Sequence, residues 1–200
     1  MYVVVQRGSV SLIRKSVHIS GHVWSVCIPI PTTRTIIKYF HNLFLQAQYI
    51  QNGGRCGPCG DNYADPQPRS NENTGTYGNG VISGVYSAGS VIDVTSVLTA
   101  NHLGTITYSL CSLDDPNLPE SDSCFQDLKL ADGSAAYSVA SNDYKVINQV
   151  QLPAGLTCER CVLRWHYKTG NSWGVCEDGT GALGCGNQEV FRSCADIFIA

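Results

Sequence analysis

Ten cysteines in 200 residues constrain this chain more than any other feature. Thiols at that density survive in a reducing compartment mainly as metal ligands. In an oxidising one they cross-link, each bridge typically contributing about 2–4 kcal/mol. They are Cys27, Cys56, Cys59, Cys111, Cys124, Cys158, Cys161, Cys176, Cys185 and Cys194, so nine fall between positions 56 and 194. A four-thiolate zinc site wants its two Cys-x-x-Cys pairs about 15–20 residues apart. Here 98 residues separate Cys56-Gly-Pro-Cys59 from Cys158-Glu-Arg-Cys161. Cys-Gly-Pro-Cys also echoes a redox motif, but that motif opens a helix after a strand, and this one sits in a glycine-rich loop. A disulfide framework remains. Cys111 with Cys124 and Cys176 with Cys185 are spaced for local bridges, and the full connectivity stays open. The chain reads as secreted.

Composition narrows the class further. A net charge of −3 without a basic stripe argues against nucleic acid as a partner. A hydrophobic content of 43% supports a core, and no stretch approaches the roughly 18 apolar residues of a membrane helix. The length suits one domain, and nothing in the text calls for more than a monomer.

Two styles of text divide the chain. Residues 1–50 are Ile-rich, hold a single cysteine and contain His18, His22 and His41; they read as an atypical leader. Within them Ile36 to Ile50 has helical apolar spacing and predicts a short amphipathic helix. A signal peptide is not recognisable, because Gln6 and Arg7 interrupt the apolar run from Tyr2 and Arg14 and Lys15 break a second attempt. Residues 51–200 turn to glycine, cysteine, asparagine and short β-rich runs. Strands are expected at Gly80–Tyr86, Val91–Ala100, Thr105–Cys111, Val146–Leu152, Cys161–Lys168 and Phe191–Ile199. Turn clusters between them indicate an all-β, immunoglobulin- or fibronectin-like antiparallel β-sandwich with long loops.

Chemistry-bearing residues are sparse. In the run from Val162, Leu163, Trp165 and Tyr167 point one way and Arg164 and His166 the other, which puts His166 on a polar face. His102 lies between two expected strands and by itself reads as a turn histidine. No Ser-His-Asp or Cys-His arrangement stands out, since the cysteines are better used as bridges. Asp114, Asp115, Glu120 and Asp122 share one loop and read as a solvated surface.

Longer blocks change the weight of His102. Asn-Gly-Gly-x-Cys-Gly-x-Cys-Gly-Asp at 52–61 is followed by Thr-Ala-Asn-His-x-Gly at 99–104 and Leu-x-x-Gly-Leu-Thr-Cys-x-x-Cys-Val-Leu-x-Trp-x-Tyr at 152–167. Thr-Gly-Asn-Ser-Trp-Gly at 169–174 and Gly-Cys-Gly-x-Gln-Glu-x-Phe-Arg-x-Cys-Ala-Asp-Ile at 184–197 complete the order. This text resembles the animal-type (AA15-like) lytic polysaccharide monooxygenases, also described as chitin-binding type-4 domains. The resemblance covers residues 51–200. It implies a secreted, disulfide-bonded sandwich that uses copper and an external electron donor to cleave a polysaccharide surface, chitin or cellulose. It further implies a brace of three nitrogens, from a first-residue histidine (amine and ring) and an internal histidine, a set suited to tetragonal Cu(II). His102 matches the internal ligand, Ala100 the small residue bordering the open copper face, and Phe191 the axial aromatic position. Glu189, two residues before Phe191, receives no role.

The family's mature start, His-Gly with a following Cys-Gly-Gly, is missing from residues 1–50. The expectation is therefore a non-native or alternatively spliced beginning and an impaired copper site, with His18 or His22 as weak candidates for the second ligand. A chitin-binding protein without catalysis is the alternative. In either case Asn101, Thr105 and Asn171 beside His102 are candidates to bond sugar hydroxyls.

Overall fold

The computed structural model describes residues 51–200, Gln48, and the backbone of Tyr2–Gln6 and Val10–Leu12. Apart from Gln48, the helix expected over Ile36–Ile50 lies outside the described residues, as do His18, His22 and His41.

Period-two burial builds the smaller sheet. Its strands β1 (Tyr2–Gln6), β2 (Val10–Leu12), β4 (Val91–Val97) and β8 (Lys145–Gln151) lie in the order β2-β1-β4-β8, all antiparallel. Along β8 burial alternates strictly: Val146, Asn148 and Val150 face inward while Ile147 is exposed. Asn148 is tolerated there because its Nδ2 donates to the Tyr108 hydroxyl at 2.9 Å, a buried polar pair that would otherwise cost about 1–3 kcal/mol unpaired. Burial pushes that Tyr108 phenol up to about 12.

The larger sheet runs β3-β12-β9-β5-β6, with β7 beside β5. Its strands are β3 (Ile82–Tyr86), β5 (Thr105–Ser112), β6 (Gln126–Leu128), β7 (Tyr137–Ser138), β9 (Cys158–Lys168) and β12 (Val190–Ile199). Pairing is antiparallel except that β3 lies parallel to β12. Each of the six expected strands is present within a few residues of its expected ends, and the fold is the expected β-sandwich. A separate hairpin, β10 (Trp173–Val175) with β11 (Gly181–Leu183), extends from the loop after β9.

One face of the larger sheet meets the smaller one. Ile106, Tyr108, Leu163, Trp165, Tyr167, Phe191 and Ile197 pack there with Ile92, Val94 and Val150. The opposite face is covered too. Cys111, Val162 and Cys194 form a second cluster with Cys59, Cys124, Leu113 and Phe125, which come from the loops around residues 59 and 113–125. Bridges Cys59–Cys194 and Cys111–Cys124 fasten this covering. The remaining described bridges are Cys158–Cys161 at the start of β9 and Cys176–Cys185 across the hairpin, and Cys56 is disulfide-bonded as well. Both local bridges allowed by spacing are thus formed.

Of the four carboxylates read as a solvated surface, Asp114 and Asp115 are exposed as expected, and the covering corrects the reading for Glu120. Glu120 is buried, its Oε2 accepts the Asn73 N–H at 2.7 Å, and its Oε1 lies 2.7 Å from Cys59 Sγ. Asp122 is half-exposed and pairs through Oδ1 with both Arg164 (2.6 Å) and Arg192 (3.1 Å). The loop folds onto a sheet face that carries two guanidinium groups, and its Asp122 carboxylate compensates them.

Candidate functional site

His102 occupies the turn between β4 and β5, and the local sequence locks its backbone. Asn101 Oδ1 accepts the Leu103 N–H at 2.8 Å, an Asx turn, while its Nδ2 donates to the carbonyls of Ala140 and Asp143. Leu103 follows at φ 55° and Gly104 at φ 87°. Only glycine fits at 104, since a Cβ there would lie 2.1 Å from the Lys168 carbonyl oxygen. Two further bonds reach His102 itself. Its N–H donates to the Tyr167 hydroxyl at 3.0 Å, and its carbonyl accepts the Gly170 N–H at 2.9 Å.

These bonds leave Asn101 no free amide hydrogen for a sugar. Its Oδ1 keeps a second lone pair, which can accept from a sugar hydroxyl. Asn171 is also engaged: its amide nitrogen lies 2.6 Å from His102 Nδ1. Thr105, at the head of β5, is half-buried, and so is Ala100.

The aromatic expected at 191 lies next to the imidazole. His102 and Phe191 are stacked at 6.1 Å between centroids with 25° between planes, and Tyr167 stacks on Phe191 at 5.9 Å. The His102 ring is half-buried, whereas Phe191 is only 6% exposed and closes the end of the core. Strand register explains the meeting: Phe191 pairs with Tyr167 across β12 and β9, and Ile106 of β5 pairs with Tyr167 on its other side. The turn that carries His102 enters β5 directly.

Residues that sequence reasoning did not single out complete the corner. Gln188 is fully buried; its Oε1 accepts the Ser172 N–H and its Nε2 donates to the Ser172 and Cys185 carbonyls. That one amide holds the root of the β10–β11 hairpin against the start of β12. Gln48 does the same for the other flank, accepting the Val190 N–H at 3.3 Å and donating to the Gly54 carbonyl. Glu189 is buried, burial pushes its carboxyl up to about 7, and its charge is felt at the Tyr167 hydroxyl. Tyr167 itself is pushed up to about 12, chiefly by burial, so it stays a neutral phenol. Its signal was present in the sequence as an inward position on a clean strand. Nothing in the text said that its hydroxyl would reach a turn 65 residues away.

As a donor set, the described residues of the corner offer one imidazole, a donor type that suits copper, beside an aromatic ring with no ligating atom. Among the described residues the remaining histidine, His166, lies on the opposite face of β9. One other group of potential ligands is close together, Cys59, Glu120 and Cys194, and both of its sulfurs are joined in a disulfide.

This sandwich belongs to a polysaccharide-oxidising class. The chain is a member of the lytic polysaccharide mono-oxygenase family, described as cellulose-degrading, whose model matches residues 35–197. It is animal-type and AA15-like. An AA15 lytic polysaccharide monooxygenase from Thermobia domestica, solved in the Cu(I) state, is 43% identical with a TM-score of 0.76, over 78% of this chain and 82% of that one. A catalytic domain from Listeria monocytogenes is 14% identical over 60% of each chain with a TM-score of 0.39. A lytic polysaccharide monooxygenase from Cellvibrio japonicus, described as important for efficient utilization of chitin, is 17% identical with a TM-score of 0.39, over 58% of this chain and 54% of that one. No curated protein matches the chain.

Proposed function

We propose that the His102 corner holds copper in a secreted enzyme that oxidatively cleaves chitin or cellulose, with His102 supplying one imidazole nitrogen. The observation that carries this reading is the stack of a half-buried imidazole on Phe191 at 6.1 Å, at the end of a sandwich of this family. Bound copper supplies one-electron chemistry toward O2 or H2O2, fed by an external donor. The chain's own residues position and exclude. Tyr167 and Gly170 hold the His102 backbone from both sides. Phe191 brings a ring with no donor atom, so it shields the site and adds no ligand. Ala100, two positions before His102, presents only a methyl group and leaves room on its side.

Tight copper binding needs more than one nitrogen. Where residues 1–50 supply no second nitrogen to this corner, copper affinity is expected to be weak and activity impaired. His18 and His22 are the weaker alternative source of a second nitrogen. A copper titration of the chain as written should show no saturation at submicromolar metal, and incubation with chitin or cellulose, copper and ascorbate should release no aldonic or 4-keto oligosaccharides. A version with a His-first start restored should release them. Products from the first protein refute the impairment, and none from the second refutes the enzyme reading.

The second reading, adhesion without oxidation, draws on the hairpin beside the site. Trp173 is 70% exposed, and its ring lies across Gly181, where a Cβ would come within 2.2 Å of it. An indole held flat in this way suits stacking on a pyranose ring. Depletion of the protein by insoluble polysaccharide, weakened by Trp173→Ala and unaccompanied by soluble products from a His-first version, would select adhesion.

A further inference from the structure

Both strands of the β10–β11 hairpin carry their bulky side chains on one face. Trp173 pairs with Leu183 and Val175 with Gly181, and paired residues, like residues two apart, share a side of the ribbon. Trp173, Val175 and Leu183 therefore point together, and none is covered: Val175 and Leu183 are 61% and 59% exposed. The indole lies across Gly181, on the diagonal between the valine and the leucine, in space that any side chain at 181 would take. The reverse face is closed, because a Cβ at Gly174 would lie 2.2 Å from the Cys185 carbonyl oxygen. The Cys176–Cys185 bridge ties the ribbon to the chain that returns beneath it, and the buried Gln188 amide holds its root, so the face is set before anything binds. That root adjoins the His102 turn. Gly184 donates to the Ser172 carbonyl at 2.8 Å, and Gly170, just upstream, donates to the His102 carbonyl at 2.9 Å.

An exposed cluster of one indole and two branched aliphatic chains marks a binding surface, and its chemistry selects the occupant. Glu177 and Asp178 are exposed at the tip of the hairpin, so an anionic glycan or an anionic lipid surface is repelled. A neutral polysaccharide is not. Chitin and cellulose share β-1,4-linked pyranose rings whose C–H faces stack on an indole equally well. They differ at C2, where chitin has an acetamido group and cellulose a hydroxyl. Val175 and Leu183 offer neither donor nor acceptor. Beside them the acetamido methyl leaves water at a gain, whereas a C2 hydroxyl loses its water partners and finds none. We propose that this face determines specificity: Trp173 stacks on a pyranose ring, and Val175 and Leu183 seat the acetamido methyl, so the chain selects chitin over cellulose. The inference rests on the reading of the chain as a polysaccharide-acting protein and decides between the two polymers that reading names.

Depletion isotherms of the full chain, residues 1–200, on insoluble chitin and on cellulose test it, with no metal added. The wild type should bind chitin about tenfold more tightly than cellulose. Val175→Thr combined with Leu183→Asn keeps the side-chain sizes and adds polar atoms. It should bring that ratio to about one by weakening chitin binding alone. Trp173→Ala should weaken binding to both polymers and leave the preference for chitin in place. A wild type that binds both equally, or cellulose more tightly, overturns the inference whether or not the variants fold, and so does a double variant that keeps the wild-type ratio. A concentration-dependent dimer, seen by sedimentation and lost in W173A, gives the face to a second copy and overturns it too. A wild type that binds neither polymer overturns the polysaccharide reading beneath the inference, and the two failures are thereby told apart.

Discussion

Two histidines among the described residues occupy opposite sides of one sheet, and their surroundings differ in kind. His166 points away from the sandwich core into a buried ionic patch. Its Nδ1 accepts from Arg192 Nε at 3.1 Å, and Arg192 and Arg164 share the carboxylate of Asp122. Burial first, then the two guanidinium charges, hold His166 down to about 3, so it stays neutral and structural. His102 lies at the other face, anchored by the hydroxyl of Tyr167, the very next residue after His166. One step along a strand separates a histidine used to satisfy an arginine from the tyrosine that anchors His102. Strand alternation assigns the face. What covers that face assigns the role.

The largest expected effect tests the covering layer. Cys59 and Cys194 are 135 residues apart, and replacing both with serine should cost about 2–5 kcal/mol in denaturant unfolding. Removing Cys158–Cys161, which closes a separation of only 3, should cost clearly less. Equal losses would mean that the covering layer is held by its packing and salt bridges alone.

A second pair of variants addresses the histidines directly. His102→Ala should weaken Cu(II) binding in a His-first version by at least about tenfold, whereas His166→Gln should leave it unchanged within a factor of about two. The reverse ranking, read by copper titration, would exchange the roles given to the two faces.

The smallest effect is a pH dependence. His166 titrates near 6.5 when unfolded and about 3 when folded, so between those values the unfolded chain carries the extra proton. Stability from this group is fully present above pH 6.5 and declines as pH falls. Asp61 and Glu189, raised by burial to about 6 and about 7, act in the opposite sense, so the difference between proteins is the informative quantity. The advantage of wild type over H166Q should shrink by up to about 1 kcal/mol per pH unit below 6.5, measured by denaturant midpoints. A constant difference would show that His166 is not held neutral.

Legibility followed length and locality. β8 and β9 were readable because seven and eleven residues suffice for a period of two to show itself. β6, β7, β10 and β11 have three residues or fewer and carry no period, so only pairing partners reveal them. His102, Ala100 and Phe191 were legible only through the ordered text around them. Glu120 was misjudged because it looked polar and free, whereas it is consumed by the Asn73 backbone, 47 residues away in the chain.

Composition and pattern alone settled an oxidised, cross-linked, all-β chain, since cysteine number, β-branched alternation and turn residues act locally. Tertiary structure decided that Phe191 stacks on His102, that Tyr167 grips its backbone, and that Asn171 stands against its ring. Those meetings depend on strand register and on a turn locked by Gly104, and register is set by the burial of whole faces, which no short stretch of sequence contains.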